Sequence, residues 1–302
     1  MSDAVHRVPY RRLVARLLSG GGIWPAVPAI VYLGVFMLAP IATLLTFGFV
    51  TIDRGAIGHD GFTLVHMIGV LSDPLVWHLM WRSFWLASVS TVLTLFFAYP
   101  VAYAYGHLTG VWRTALLVAI VSPLLTSALV RTYAWIVILG GRRGLLNQML
   151  LSLGVVDQPL QILNTSAAVV IGLTQIHLPF MILPLLAVLS ERDHRFEEAS
   201  LNLGAGRVAT FFRVVVPMSM PAIVAGFALV FAVSYTNFII PQLLGGGSYS
   251  TFAVQVYEQT IVVLDWSRGA ALATLLLSTC FLFVLAIVVL GNRLTRWNEA
   301  GR

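Results

Sequence analysis

Residues 190–217 read SERDHRFEEASLNLGAGRVATFFRVVVP, a charged interruption between two long apolar blocks. Ser190 and Asp193 are helix-capping residue types, and the acids that follow fall in the first turns, where the helix dipole favours them. Phe196, Ala199, Ser200 and Leu203 recur at helical spacing and lay one narrow apolar stripe along a short helix. Gly204-Ala205-Gly206 breaks that helix, glycine being common just past a helix end. Val208, Phe211, Phe212 and Val215 repeat the spacing on a second helix, which Pro217 is expected to end. The stretch reads as helix, turn, helix. Its apolar faces have three ways to become buried: against the chain's own helices, in lipid headgroups, or in a groove on a partner. Periodicity leaves all three open.

The apolar blocks on either side place the chain in a bilayer. It has 302 residues, 59% hydrophobic and only 10% charged, against about 25% charged in soluble domains. All 18 basic residues are arginine. With no lysine, the chain lacks both the phosphate-binding lysine of a Walker loop and the Schiff-base lysine of a pyridoxal enzyme. The chain therefore does not look able to hydrolyse ATP by itself, and no cofactor is expected on it. The single cysteine, Cys280, lies in an apolar run, and the seven histidines show no metal-ligand spacing. No nucleophile-elbow or zinc-protease pattern appears, so the reading is a protein without an enzyme active site. Nothing calls for a nucleic-acid partner; the lipid bilayer is the expected surroundings.

Six apolar runs are expected to span: 24–50, about 83–105, about 114–139, about 166–189, about 218–244 and about 269–290. Arg11-Arg12 near the start resembles an export signal, but the run of 27 residues from Trp24 to Val50 exceeds a signal core of about 7–15. Pro25, Pro28 and Pro40 would bend this first span. Between the spans, 51–81 reads as a polar loop. In 140–165 the stripe Leu145, Leu146, Met149, Leu150 and Leu153 suggests a short helix at the membrane interface. The expected organisation is a basic N-terminus (1–23), a six-helix membrane domain (24–290) and a C-terminal tail (291–302). The fold class is all-α polytopic, with the 190–217 loop as its helix-turn-helix insertion.

Arginines set the orientation, because positive residues accumulate on cytoplasmic loops. With the N-terminus inside, Arg7, Arg11, Arg12, Arg16, Arg113, Arg192, Arg195, Arg207, Arg213, Arg293, Arg296 and Arg302 are cytoplasmic. Arg54, Arg82, Arg142, Arg143 and Arg268 lie outside, with Arg142 and Arg143 against the trend. Both termini and the 190–217 loop are then cytoplasmic, and Gly245-Gly246-Gly247 lies on the far side.

Polar residues within the runs are candidates for a solute path. Arg131 is the only charge in any run, and either snorkels to the outer interface or lines the mouth of a path. Gln175 and His177 sit beside Pro179, with Pro184 further on; prolines at such spacing mark helices broken around binding sites. Hydrogen-bonded helix packing explains Gln175 and His177 equally well. Tyr235 and Asn237, in the patch Ser234-Tyr235-Thr236-Asn237, complete the candidate set.

The 190–217 stretch resembles the EAA loop of bacterial ABC importer permeases. Glu198-Ala199-Ser200, three residues, Gly204, nine residues, Val214, one residue and Val216-Pro217 stand at the family's spacing, with Ser200 replacing the second alanine. The resemblance implies that Glu197, Glu198, Ala199, Ser200, Gly204, Phe212 and Pro217 belong to a surface that docks into an ATP-binding-cassette ATPase subunit. Glu198 and Gly204 would be central to passing its movement to the membrane. Arg131-Thr132-Tyr133-Ala134-Trp135, Gly144, Asn147, Leu178-Pro179-Phe180-Met181, Pro241 and Leu244-Gly245-Gly246-Gly247 are similar to the spermidine/putrescine branch of these permeases, over about residues 80–290. That implies a bacterial inner-membrane subunit paired with a second, homologous permease, two ATPase subunits beneath, and a periplasmic solute-binding protein. A polyamine path calls for carboxylates or aromatic faces. The runs contain no Asp or Glu, and Tyr99, Tyr103, Tyr105, Tyr133 and Tyr235 are available as cation–π partners or as packing. The branch also looks like the home of permeases for other small solutes, including organic anions and phosphonates. A gradient-driven secondary transporter and a membrane scaffold are the competing classes; neither accounts for the spacing of Glu198, Gly204 and Pro217.

Overall fold

The computed structural model describes residues 27–53, 56–191, 195–247 and 249–300. In order, the elements are α1 (Val27–Phe47), β1 (Val50–Asp53), β2 (Ala56–Phe62), α2 (Val65–Ser72), α3 (Pro74–His107), α4 (Gly110–Val121), α5 (Ala128–Leu139), α6 (Leu145–Ser152), α7 (Ser166–Glu191), α8 (Arg195–Asn202), α9 (Arg207–Thr210), α10 (Val216–Tyr235), α11 (Ile239–Leu244), α12 (Phe252–Tyr257) and α13 (Trp266–Ala300). The basic N-terminus with Arg7, Arg11, Arg12 and Arg16, and also Pro25, Arg192 and Asp193, lie outside the described residues.

The framework is helical; among the described residues five helices are long and apolar enough to cross a membrane, or six if the bent pair α4–α5 counts as one span. That pair corrects the expectation of one continuous third span: its two halves meet at 98°. The break follows from Pro123, which has no N–H for the carbonyl of Ala119 and favours extended backbone around itself. Ser122 Oγ donates to that carbonyl at 3.4 Å, and a 3₁₀ turn over Ser122–Leu125 leads into extended Thr126. A helix such as α5, of 12 residues, reaches only about 18 Å and cannot cross alone.

The loop after α1 also holds more structure than its composition suggests. β1 and β2 form an antiparallel hairpin pairing Val50 with Phe62 and Asp53 with Ala56, an addition to the all-α reading. Ser267 Oγ donates to the Val50 carbonyl at 2.9 Å, tying the hairpin to α13. α3 begins well before Ser83, because Asp73 caps it: Oδ1 accepts from Leu75 N at 2.9 Å with Pro74 in the first turn. Asp73 Oδ2 also accepts from Arg268 Nη2 at 2.7 Å, joining the starts of α3 and α13.

α7 is the centre. Within its hydrophobic window 61% of residues are buried, against 39% for α3 and none for α1. Ala98, Tyr99 and Ala102 of α3 meet Met181, Leu185 and Leu189 of α7 and Ala222 and Val230 of α10 in one apolar cluster. Gly226 permits the α7–α10 approach, since a Cβ there would lie 2.8 Å from Met181 Sδ. A second cluster joins Leu86 of α3, Leu139 of α5, Leu173 and Ile176 of α7 and Ile240 and Leu244 of α11. α6 forms where its stripe predicts; Leu146 packs on this second cluster, while Leu145, Met149 and Leu153 stay exposed.

Asn147 organises the 141–160 segment. It is buried; Nδ2 donates to the carbonyls of Gly141 (2.7 Å) and Leu160 (2.8 Å), and Oδ1 accepts from Leu160 N at 2.9 Å. Asn147→Ala leaves those backbone groups unpaired, a loss of about 2–3 kcal/mol in that segment; limited trypsin digestion in detergent should then cut at exposed Arg142 and Arg143 well before it cuts the wild type. Asp73→Ala removes a cap and a half-exposed ion pair, of which the cap dominates, and should lower thermal stability in detergent by about 1 kcal/mol. Asp73→Asn, which keeps the cap oxygen, should retain most of it.

Candidate functional site

Two arrangements are brought together by the fold: a surface built by the 190–217 stretch and a polar layer through the middle of the helices.

The surface comes first. α8 ends in a motif in which Ala205 N donates to the Ser200 carbonyl at 3.1 Å and Gly204 N to the Leu201 carbonyl at 2.9 Å. It requires a left-handed residue, supplied by Gly204 at φ 86°. The chain then turns into α9, and Ser200 Oγ and Thr210 Oγ1, 3.0 Å apart, fasten the two short helices together. The apolar positions divide between two faces. Phe211 and Val215 turn inward, the Phe211 ring meeting Tyr99 and Tyr103 edge-on at 5.4 Å. Leu203 (89% exposed), Val208 (72%), Phe212 (64%) and Phe196 (54%) point away from the chain. Glu198 and Ala199 are exposed beside them. Glu197 instead faces the end of α3, its Oε2 3.7 Å from His107 Nε2, across a cavity of about 310 Å³ lined by Tyr103, His107, Leu201, Arg207 and Phe211.

Pro217 does not end this unit. α9 continues through a π-helical turn over Phe211–Val215 into α10, giving one apolar helical run of 29 residues from Arg207 to Tyr235. The correction has a local cause. Pro217 sits in the first turn of α10, and its ring would crowd the Arg213 carbonyl in a regular α-helix. The wider turn, with Val216 N donating to the Phe211 carbonyl, gives it room.

The polar layer centres on one turn of α7. Thr174 Oγ1 donates to the Ser90 carbonyl of α3 at 3.5 Å. Gln175 Oε1 accepts from Trp135 Nε1 of α5 at 3.2 Å. The Ile176 carbonyl takes a long 3.5 Å contact from an Arg131 terminal nitrogen. His177 Nδ1 and Ser234 Oγ of α10 are hydrogen-bonded at 2.9 Å, both residues buried. Tyr235 extends the layer to α13: it is fully buried, stacked on Phe231 and edge-on to Phe283, with its hydroxyl 3.0 Å from Thr279 Oγ1. Asn237 Oδ1 accepts from Ile240 N at 3.0 Å, so this side chain turns the chain from α10 into α11. Arg131 Nε is buried without a hydrogen-bond partner.

Of the candidate path residues, the fold thus gathers Arg131, Gln175 and His177 into one layer, makes Tyr235 an aromatic core residue and uses Asn237 as a turn. The linking roles of Trp135, Ser234, Thr174 and Thr279 were not legible beforehand. In a membrane helix such hydroxyls also bond their own preceding turn, as Thr279 does with the Leu275 carbonyl at 2.8 Å. Among the described residues no group of three or more His, Cys, Asp or Glu is placed to hold a metal ion.

Comparison with known proteins identifies the family and the fold. Residues 23–301 match the family described as binding-protein-dependent transport system inner membrane component. The chain is 34% identical to the spermidine/putrescine transport system permease protein PotB of Haemophilus influenzae over 238 residues, 79% of this chain and 82% of that one. The fold superposes on a chain of a bacterial ABC transporter involved in import of the acidic polysaccharide alginate with a TM-score of 0.70 at 15% identity, covering 94% of this chain and 98% of that one. It also matches a chain of a bacterial alginate ABC transporter solved in complex with an alginate pentasaccharide-bound periplasmic protein, with a TM-score of 0.69 at 15% identity over 95% of this chain and 96% of that one. The chain belongs to the binding-protein-dependent transport family and is an ABC importer permease, a multi-pass component of the bacterial inner membrane.

Proposed function

We propose that this permease pairs with a second permease subunit and carries a small organic solute, a polyamine such as spermidine or putrescine, inward from a periplasmic binding protein. ATP hydrolysis on attached ATPase subunits drives the cycle. The observation that carries the ATPase half of this reading is the exposed apolar face of Phe196, Leu203, Val208 and Phe212, which nothing in the described chain covers. It is a compact ridge with Glu198 beside it and Gly204 at its turn, of the kind that seats in a partner's groove. The arginine distribution puts this ridge, with both termini, in the cytoplasm, where an ATPase is found. The polyamine follows from the name of the PotB relative.

A second reading for the solute has one observation in its favour. Within the six apolar runs of the sequence the only charge is Arg131, with Nε unpaired, which suits an organic anion or a phosphonate better than a cation.

Two experiments test the reading. Coexpressed with its ATPase, wild-type permease should copurify with it from detergent, and Glu198→Arg, Gly204→Asp and Phe212→Asp should each reduce the recovered ATPase at least about tenfold, as loss of a buried interface anchor does. A wild type that purifies alone, or variants that keep the ATPase and transport normally, would sink the coupling surface. In proteoliposomes carrying the complete transporter, labelled spermidine should accumulate on addition of ATP. Accumulation of a labelled phosphonate instead, lost on Arg131→Gln, would establish the anion reading.

A further inference from the structure

The turn Thr174–His177 is tied to α3, α5 and α10 at one depth. It precedes Pro179, which cannot donate to the Gln175 carbonyl, so α7 lacks an internal bond where it holds its neighbours. We propose that the Ser234–His177 hydrogen bond relays movement of the 190–217 surface to the broken α4–α5 span, with Trp135 on Gln175 as the output contact. Ser234, His177 and Trp135 are then positioning residues of the transport cycle. The inference rests on the importer reading above.

The input is mechanical. Arg207–Tyr235 is one helical run of 29 residues, about 43 Å long at about 1.5 Å per residue. Its lower end is fixed to the exposed ridge through Thr210 and Ser200, and Ser234 stands in its last turn. A push on the ridge therefore displaces Ser234 as part of the same rod. The contact at Ser234 cannot yield gradually: Ser234 and His177 are 5% and 1% exposed, so separating them strands two buried polar groups without water. The turn of α7 must follow α10 or the bond must break outright.

The output is a jointed element. α5 is too short to cross the membrane and meets α4 at 98° through the extended residue Thr126. It can tilt as a unit. Its polar hold on α7 is the pair Arg131 and Trp135, one turn apart on the same face, reaching Ile176 and Gln175. Those acceptors and His177 belong to a single helical turn, so moving His177 moves both. Among the described residues, Tyr235 and Thr279 join the top of α10 to α13, leaving α5 as the short member of the layer.

The test uses the complete transporter with its ATPase, second permease and binding protein. A bimane label is placed on Tyr133→Cys, an exposed site on α5, in a Cys280→Ser background. The emission shift between nucleotide-free and vanadate-trapped states reports α5. Ser234→Ala should shrink that shift about fivefold, within the range expected for residues carrying coupling between sites, while ATP hydrolysis stays within about twofold. Ser234→Thr, which keeps the hydroxyl, should restore it. Trp135→Phe should give the same loss, and adding it to Ser234→Ala should cost nothing more, as for two links of one chain. A shift that persists in Ser234→Ala or Trp135→Phe, or additive losses, overturns the relay; if Ser234→Ala does not assemble, Trp135→Phe decides alone. Absence of binding-protein-stimulated hydrolysis in the parent removes the importer reading and the relay together, whereas stimulated hydrolysis with no emission shift removes the relay only.

Discussion

In a bilayer each backbone N–H and C=O must find its partner inside the protein. This chain places prolines where that demand is hardest to meet. Pro123 takes away the bond to the Ala119 carbonyl; Ser122 replaces it and the span breaks. Pro217 disturbs the start of α10, and a π-helical turn absorbs it without breaking the run. Pro179 and Pro184 lie within α7, the most buried helix, and the turn before Pro179 bonds side chains of α5 and α10 and a backbone carbonyl of α3. Similar local losses thus give a joint, a continuous rod and a hub, depending on what surrounds each proline.

The contrast between the first two explains how a surface loop becomes part of the membrane machinery. Had Pro217 ended its helix, the 190–217 stretch would hang on a flexible connection and a force on it would dissipate. Instead Phe211 and Val215 face inward against Tyr99 and Tyr103, and Tyr99 is held to α10 through a 2.8 Å bond with Ser219. The ridge of Leu203, Val208 and Phe212 is left outward because the same helix has already committed its other face to the core. One amphipathic pattern therefore supplies both a buried foundation and an exposed apolar ridge.

Much of this was legible in the sequence. Long apolar runs marked where the spans lie, although α3 starts at Pro74 rather than near Ser83 and the fifth run, read as 218–244, divides between the Arg207–Tyr235 helix and α11. The stripe at Leu145–Leu153 marked α6, and Gly204 marked a helix end that the structure builds with a left-handed glycine. What was not legible has physical causes. Hydropathy runs unbroken across Thr126 and Ser127, and Pro123 does not announce a break, because membrane helices also absorb prolines without one, as the helix does at Pro217. The π-helical turn has no residue signature apart from the proline that provokes it. Cross-links by Ser and Thr are hidden because the same hydroxyls satisfy carbonyls of their own helix; only tertiary placement tells which also reach a neighbour. Tyr235 shows the converse, a polar-tipped residue whose ring is claimed by Phe231 and Phe283 and whose hydroxyl is claimed by Thr279.

That mutual satisfaction bears on how a solute is handled. Trp135 is spent on Gln175, His177 on Ser234, Tyr235 on Thr279, and the Asn237 carbonyl oxygen on Ile240. Few fixed polar groups in the layer remain for a passing molecule, Arg131 Nε foremost among them. A helical frame whose polar groups are occupied with one another is held in register by them, and any of them offered to a solute must first give up a buried partner.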